Sequence, residues 1–165
     1  MVSEQLTAAL TPVLGRIPSG VFILIARSDD GKTTGLLASF IQQASFDPPQ
    51  VTVAVNKTRY LNDWLKDGRP VSLNQVQKGD NLLFRHFGKG FEPDVNAFEG
   101  IEWSPGLSGL PLLKNAMACM EGVISGHMEA GDHIVYLVSL TNAVANRDAA
   151  EFDPYVHIRK NGFSY

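Results

Sequence analysis

Apolar residues near the start of the chain recur at helical spacing. They are Leu6, Leu10, Val13 and Leu14. Ser3 precedes them, and serine favours the position just before a helix because its side chain can accept a hydrogen bond from a free backbone N–H group. The pattern therefore predicts a short amphipathic helix that ends near Gly15.

Most of the remaining apolar positions form short runs or alternations that are typical of β-strands. The predicted strands cover residues 21–26, 34–45, 51–55, 71–74, 116–128, 133–143 and 155–158. Short helices are predicted around the apolar face of Leu61, Trp64 and Leu65 and over residues 81–87. Many short strands with few helices favour a closed β-barrel over a parallel sheet that alternates with helices.

Residues 88–113 interrupt this pattern with several prolines and glycines, so we expect an irregular loop there. A loop of this length inside a compact domain is usually a cover over a functional site or a surface for a partner. Both roles stay open at this point.

Length and composition indicate one folded domain over residues 1–165. With 44% hydrophobic and 19% charged residues, the chain can bury one core. Its net charge of -3 argues against nucleic-acid binding, so an anionic ligand would need a local pocket. The single cysteine, Cys119, excludes an intrachain disulfide, and the usual zinc spacings are absent, so we expect no metal site.

The sequence carries no signal for secretion or membrane insertion. The N-terminus has no basic region followed by an apolar stretch, and the longest apolar run, residues 21–26, is far too short to cross a membrane. We therefore expect a cytoplasmic protein without membrane contact.

Several common enzyme motifs are absent as well. The chain has no G-x-G-x-x-G, no P-loop, no H-E-x-x-H and no G-x-S-x-G. These absences argue against several frequent enzyme classes, including those that bind a dinucleotide through a glycine-rich strand–helix turn.

Four segments could instead form a ligand site. The first, residues 35–49, is rich in small residues that would let a flat ring approach the backbone. Free N–H groups and the hydroxyls of Ser39 and Ser45 could then meet polar atoms of the ring. The alternative is a plain barrel strand at a crowded corner.

The second segment, residues 54–60, follows a strand and opens a helix, and helix N-termini favour phosphate groups. Lys57, Thr58 and Arg59 add positive charge and hydrogen-bond donors. The alternative is an exposed turn with Thr58 as the N-cap residue.

The third segment, residues 84–89, combines two cations, His86 and Gly88 with aromatic residues, and could wrap a phosphate or a ring edge. The alternative is an ordinary helix C-terminus with basic residues in its last turn.

In the fourth segment, His133 directly follows the Gly131-Asp132 turn and could meet a second ligand at a pocket mouth. Its alternative is a surface histidine.

Together, in this order and spacing, the four segments resemble the flavin reductase-like family with the FMN-binding split barrel. The resemblance extends from about Leu14 to Tyr165. More narrowly, the chain resembles the C-terminal flavin reductase-like module of cyanobacterial flavodiiron proteins. Residues 14–17, 85–87, 98–100 and 156–162 carry this narrower likeness. No diiron segment is found, which indicates a free-standing relative or an excised module.

The resemblance implies a mainly β fold with short helices, an FMN-binding split β-barrel, and a homodimer with FMN at or near the subunit interface. It implies that the flavin ring and ribityl chain are lined by Leu37, Ala38, Ser39 and Ser45. It places the phosphate near Asn56, Lys57 and Thr58, with that end closed by His86, Phe87 and Gly88. In relatives that use a nicotinamide, the histidine that matches His133 helps to hold it, so His133 is the predicted catalytic residue.

Three functions follow as hypotheses. The first is an NAD(P)H:flavin oxidoreductase that passes hydride from the nicotinamide to FMN, with FMN preferred over FAD. The second is a flavoredoxin-like electron carrier, which takes electrons from a redox partner protein. The third is a non-catalytic module that stores flavin or binds another planar ligand.

Overall fold

A computed structural model of the chain describes residues 2–165, and its secondary structure is mainly β with short helices. The helices are α1 (Glu4–Leu14), α2 (Asn81–Phe87) and a 3₁₀ turn (Tyr60–Asp63). The first six strands are β1 (Ser19–Gly20), β2 (Phe22–Arg27), β3 (Thr33–Ala38), β4 (Ile41–Phe46), β5 (Pro49–Asn56) and β6 (Pro70–Gln75). The last five are β7 (Trp103–Pro105), β8 (Pro111–Leu113), β9 (Ala118–Ala130), β10 (His133–Ala145) and β11 (Val156–His157).

Seven antiparallel strands form one sheet in the order β3-β2-β6-β9-β10-β5-β4. The two strands at the ends of this order, β3 and β4, follow each other in the chain and are separated only by Ser39 and Phe40. So short a connection requires the two ends of the sheet to lie side by side, and the sheet therefore curls into a barrel. Since β3 and β4 are not hydrogen-bonded to each other as strands, the barrel is split, as the family resemblance implies, and not closed, as the strand pattern alone favours.

The sheet separates two apolar cores. Alternate residues of β2 face opposite ways: Leu24 packs inside the barrel, whereas Ile23 and Ile25 pack on the outer face. The outer core is covered by Leu83 and Phe87 of α2. Burial on both faces explains why residues 21–26 form a continuous apolar run rather than an alternation.

Two sequence predictions need correction. The segment 34–45, predicted as one strand, is divided between β3 and β4 because the chain crosses the split of the barrel at Ser39 and Phe40. The loop 88–113 is not wholly irregular, since it contains the paired strands β7 and β8. Much of it packs onto the outer core, where Ala97 and Leu110 are fully buried, because its apolar residues cover the sheet.

Smaller differences concern two short elements. The predicted helix around Leu61, Trp64 and Leu65 is a single 3₁₀ turn, and the last predicted strand is the two-residue β11, which pairs with β1. No helix among residues 2–165 is long and apolar enough to cross a membrane.

A buried carboxylate on β9 fastens the turn between β7 and β8. Glu121 is only 2% exposed. Its oxygens accept hydrogen bonds from the N–H of Leu107 (3.0 Å), from the N–H and hydroxyl of Ser108 (3.1 and 2.9 Å) and from the amide of Asn142 (2.8 Å). Burial by itself raises the pKa of Glu121, but the hydrogen bonds from Asn142, Leu107 and Ser108 outweigh burial, and the pKa lies below its ordinary value.

Replacing this carboxylate should destabilise the fold. In Glu121→Gln, an NH₂ group would face backbone donors, and the free energy of unfolding at pH 7 should fall by about 1–3 kcal/mol. Because the folded-state pKa lies below the ordinary value of 4.5, the stabilisation is present above that pH and is lost as the pH falls through the folded-state pKa. Urea unfolding at several pH values should therefore show the two proteins converging in acid.

The exposed Glu102 offers a matched control, and Glu102→Gln should leave the free energy of unfolding nearly unchanged. Equal stability of Glu121→Gln and the wild type at pH 7 would contradict the proposed fastening role.

Candidate functional site

A cavity of about 630 Å³ opens beside the split of the barrel, among β3, the end of β5 and the end of α2. Its wall is largely apolar and includes Val21, Leu36, Leu37, Ala38, Val55 and Phe84. Its polar lining includes Ser39, Asn56, Arg59, Lys89, His157 and Tyr165. Among the lining residues that the structure describes, three are Arg or Lys and none is Asp or Glu. A pocket of this size and composition suits a flat apolar ligand that carries negative charge.

The β3 side of the cavity is an end strand of the sheet. Among the strands of residues 2–165 it pairs with β2 alone, so one side of its backbone has no partner strand there and can offer N–H and C=O groups to a ligand. Small residues in β3 also have a packing role: a Cβ at Gly35 would lie 2.6 Å from the ring of Phe87. The packing interpretation therefore holds at Gly35, and the ligand-binding interpretation of this segment stays a prediction.

A rigid turn follows β5 on the opposite side. The side-chain oxygen of Asn56 accepts hydrogen bonds from the Thr58 backbone N–H (2.9 Å) and hydroxyl (2.7 Å). The amide of Asn62 donates to the carbonyls of Asn56 and Arg59, both at 2.8 Å. These bonds fix the backbone of the turn from which the Arg59 side chain reaches the cavity wall.

Arg59 and Lys89 also line a second cavity of about 460 Å³, which adjoins the first. Thr58 and Glu92 lie on that second wall. Two cations therefore stand where the cavities meet. They come from separate segments of the chain, the turn after β5 and the segment after α2, which is why sequence spacing alone does not pair them.

Lys57 lies against the turn between β9 and β10 and not against the cavity. Its backbone N–H donates to the carbonyl of Asp132 at 2.9 Å, and its ammonium forms an ion pair with Glu129. Lys57 is not part of either cavity wall. Its charge is thus already partly balanced by a carboxylate.

The end of α2 brings one of its three predicted residues to the cavity. Gly88 lines it. The Nε2–H of His86 donates to the carbonyl of Ala97 at 2.8 Å, and Phe87 is fully buried in the outer core. Neither side chain is part of the cavity wall.

His133 lies at the start of β10 with both imidazole nitrogens hydrogen-bonded. Nδ1 is 2.8 Å from the Asp132 carboxylate, and Nε2 is 2.7 Å from the Tyr165 hydroxyl. The hydrogen bond from His133 lowers the pKa of Asp132, and burial raises the pKa of Tyr165. Because the carboxylate accepts from Nδ1–H, Nε2 of the neutral ring accepts from the phenol. Tyr165 lines the cavity, so His133 is connected to the cavity through Tyr165.

The structure therefore brings some of the predicted residues together and separates others. Those in the wall of the first cavity are Leu37, Ala38, Ser39, Asn56 and Gly88. Thr58 lines the adjoining cavity. Those outside both walls are Ser45, Lys57, His86, Phe87 and His133. Ser45 lies opposite Gln50 in the β4–β5 hairpin. Which of these residues contact a ligand stays a prediction.

Some lining residues escaped the sequence analysis. Arg59 lies inside a segment that the analysis singled out, but the resemblance does not assign it a contact. His157 lies in the segment 156–162 that carries the narrower likeness, and Tyr165 lies beyond it, but the resemblance assigns neither of them a contact. The pairing of β11 with β1 and the backbone hydrogen bonds from Arg159 to Gly15 and from Gly162 to Thr11 bring this part of the chain to the cavity.

A family model described as "Flavin reductase like domain" matches residues 14–164. Diflavin flavoprotein A 1 of Synechocystis sp. is 34% identical over 163 residues, which are 98% of this chain and 28% of that protein. Putative diflavin flavoprotein A 3 of Nostoc sp. is 35% identical over 164 residues, with the same coverage of 98% and 28%. The chain thus spans little more than a quarter of the length of these curated relatives.

Solved structures share the fold. Streptomyces globisporus C-1027 NADH:FAD oxidoreductase SgcE6 superposes with a TM-score of 0.82 at 24% identity, covering 98% of this chain and 92% of that one. A structure of flavin reductase HpaC complexed with NADP+ gives a TM-score of 0.76 at 22% identity, with 90% of each chain covered. These likenesses confirm the predicted split-barrel fold.

Proposed function

The chain belongs to the flavin reductase-like domain family, and on this premise we propose that it binds FMN in the larger cavity and passes hydride from NAD(P)H to that flavin. The observation that carries the proposal is the cavity itself, whose wall is apolar and whose charged lining residues are all cations. FMN combines a flat ring with a phosphate dianion, and it therefore matches both properties.

The apolar wall suits the ring. Leu36, Leu37 and Ala38 of the end strand β3 offer a flat surface beside unpaired backbone groups, and Val55 and Phe84 add apolar contacts. Ser39 adds a hydroxyl at the end of that strand. Such groups would exclude water from the ring and hydrogen-bond its polar edge. When bound, the flavin supplies the hydride-accepting chemistry, and the protein supplies position and electrostatics.

The phosphate end belongs, in this proposal, to the turn after β5. Arg59 and Lys89 supply charge where the two cavities meet, and Thr58 supplies a hydroxyl and a backbone fixed by Asn56. Lys57 would contribute less than its place in the sequence implies, because Glu129 already pairs with its ammonium. A guanidinium also forms bidentate hydrogen bonds with phosphate, which an ammonium does not.

His133 would orient the nicotinamide through its imidazole. Hydride transfer needs no general base, so a hydrogen bond from the nicotinamide amide to Nε2 of a fixed ring is sufficient, and the Asp132 carboxylate, 2.8 Å from Nδ1, fixes that ring. One observation favours the flavoredoxin-like alternative: Nε2 of His133 is already engaged by Tyr165. A carrier that receives electrons from a partner protein would not need that nitrogen free.

We also propose that the chain forms a homodimer. Helix α1 has no buried residue, although its sequence is amphipathic, and Val13 and nearby Ile17 expose their side chains. Phe46, at the tip of the β4–β5 hairpin, is 89% exposed. Exposed large apolar side chains on a helix face and a hairpin tip favour burial against a second copy.

The central experiment is a flavin titration followed by anaerobic reduction. Purified protein should quench FMN fluorescence with a dissociation constant of about 1 µM or lower, equivalent to roughly -8 kcal/mol. NADH or NADPH should then bleach the bound flavin in a rapid-mixing spectrometer. The variant His133→Ala should keep its FMN affinity but be reduced about ten- to a hundredfold more slowly, because one orienting hydrogen bond is lost.

The two candidate functions give different results in this experiment. Bleaching by dithionite but by neither nucleotide would favour the electron carrier over the reductase. Absence of FMN binding at protein concentrations far above 1 µM would contradict both.

The phosphate assignment can be tested with two flavins. Arg59→Ala should weaken FMN binding by about 1.5–3 kcal/mol, the range for hydrogen bonds to charged groups. Riboflavin has no phosphate, so its affinity should change far less. Lys57→Ala, which removes an ion-paired cation from the same turn, is the matched control and should cost FMN affinity about 1 kcal/mol or less. If Arg59→Ala weakened both flavins equally, the phosphate would not lie at this turn.

Dimer formation can be measured by analytical ultracentrifugation. The wild type should sediment at about twice the chain mass of 18.0 kDa. Phe46→Asp should shift the distribution toward the monomer, because a charge would be buried at the contact. Leu107→Asp, which alters another highly exposed apolar residue, should not. A wild-type monomer that binds FMN normally would refute the dimer proposal.

A further inference from the structure

Tyr165 connects the cavity to His133. Its hydroxyl lies 2.7 Å from Nε2 of His133, and its ring lines the cavity. A phenol is protonated near neutral pH, and because Nδ1–H of His133 donates to Asp132, the Tyr165 hydroxyl donates to Nε2. The nitrogen that would orient a nicotinamide is thus occupied by a side chain of the protein.

The phenol resembles the group that it would exclude. A nicotinamide carries an amide N–H donor on a six-membered aromatic ring, and Tyr165 offers an O–H donor on a six-membered aromatic ring. The Tyr165 ring packs against the Phe40 ring, with centroids 5.5 Å apart. The guanidinium carbon of Arg159 lies 4.9 Å from the centroid of the same Phe40 ring. Tyr165 therefore makes a polar contact with His133 and an aromatic contact with Phe40 at this corner.

The segment that contains Tyr165 is held to the end of α1 by backbone hydrogen bonds at Arg159 and Gly162. The N–H of Arg159 donates to the carbonyl of Gly15 at 2.9 Å, and the N–H of Gly162 donates to the carbonyl of Thr11 at 3.1 Å. Within residues 2–165, Gly162 makes the last of these backbone hydrogen bonds to α1. The arm beyond Gly162 thus holds its position chiefly through side chains, and Tyr165 itself is 68% exposed.

We propose that Tyr165 is a gate at the nicotinamide position, closed on His133 in the free protein and displaced by the incoming nucleotide through movement of the arm after Gly162. This inference rests on the proposed function. Displacement exchanges one donor to Nε2 for another, so the hydrogen bond is conserved, and the 68% exposure of Tyr165 leaves room for the side chain to move outward. The apparent affinity for NAD(P)H is then reduced by the fraction of molecules in which the gate is open.

Removing the hydroxyl should open the gate without altering the flavin site. In Tyr165→Phe, the half-saturating concentration of NAD(P)H for flavin reduction should fall about three- to tenfold, the factor that corresponds to one net hydrogen bond. Because the aromatic ring is kept, the limiting rate of reduction and the FMN dissociation constant should change by a smaller factor than the half-saturating concentration does. Phe163→Leu, which alters an exposed aromatic residue of the same arm, is the control and should leave all three quantities unchanged.

A second measurement does not depend on turnover. In ¹⁵N spectra of the imidazole groups of flavin-free protein, Tyr165→Phe should shift the Nε2 resonance of His133, whereas Phe163→Leu should not. In FMN-loaded wild type, the oxidised nucleotides NAD+ and NADP+ cannot reduce the flavin. The one that binds should shift the ring resonances of ¹³C-labelled Tyr165 as the side chain leaves the imidazole.

The outcomes separate this inference from the proposed function. Normal reduction with an unchanged half-saturating concentration in Tyr165→Phe and Tyr165→Ala would overturn the gate alone. Weaker FMN binding with unchanged nucleotide affinity would make Tyr165 a flavin contact and would also overturn it. Failure of both nucleotides to reduce the wild type or any variant would overturn the reductase function and the gate together.

Discussion

The two residues between β3 and β4 impose the constraint on which the rest of the structure depends. Ser39 and Phe40 join the opposite ends of a seven-stranded sheet, so the sheet must curl until those ends meet. The cavity lies beside the resulting split, and β3 keeps one unpaired edge there because none of the described strands closes the barrel. Ser39 lines the cavity, and Phe40 supports the aromatic contacts of His133 and Tyr165. The barrel and the candidate site are therefore consequences of the same short connection.

The sequence predicts most strands of the barrel because their burial produces a local pattern. It predicts a continuous strand over residues 34–45 because nothing in the pattern marks the point where the chain passes from one end of the sheet to the other. The alternation of apolar residues reports that a strand has a buried face, but it does not report which strand lies beside it. The loop 88–113 has the same explanation: its prolines and glycines are visible, but the outer core that its apolar residues cover is formed by distant parts of the chain.

The candidate site is predictable to the extent that it lies in continuous segments. The small residues of β3 and the turn after β5 can be recognised locally, and they do line the cavities. Whether a cationic side chain is free to bind a ligand depends on neighbours that are distant in the sequence. Lys57 and Arg59 are two residues apart, but Glu129 pairs with Lys57, whereas Arg59 reaches the wall with Lys89. Likewise, the hydrogen-bond partner of Nε2 of His133 is 32 residues away along the chain, at Tyr165.

The burial of β2 on both faces has a consequence for how its register is specified. In most half-buried strands, a slip of one residue would expose the apolar set, and that cost selects the correct alignment. In β2, a slip would only exchange Ile23 and Leu24 between two apolar cores, so hydrophobicity discriminates weakly. The alignment must come from directional contacts: the fully buried Asn74 donates to the carbonyl of Ile23 at 3.3 Å and accepts from the N–H of Leu113 at 2.8 Å. The side-chain amide of Asn74 thus helps to fix the register of β2, which the apolar residues around it do not specify.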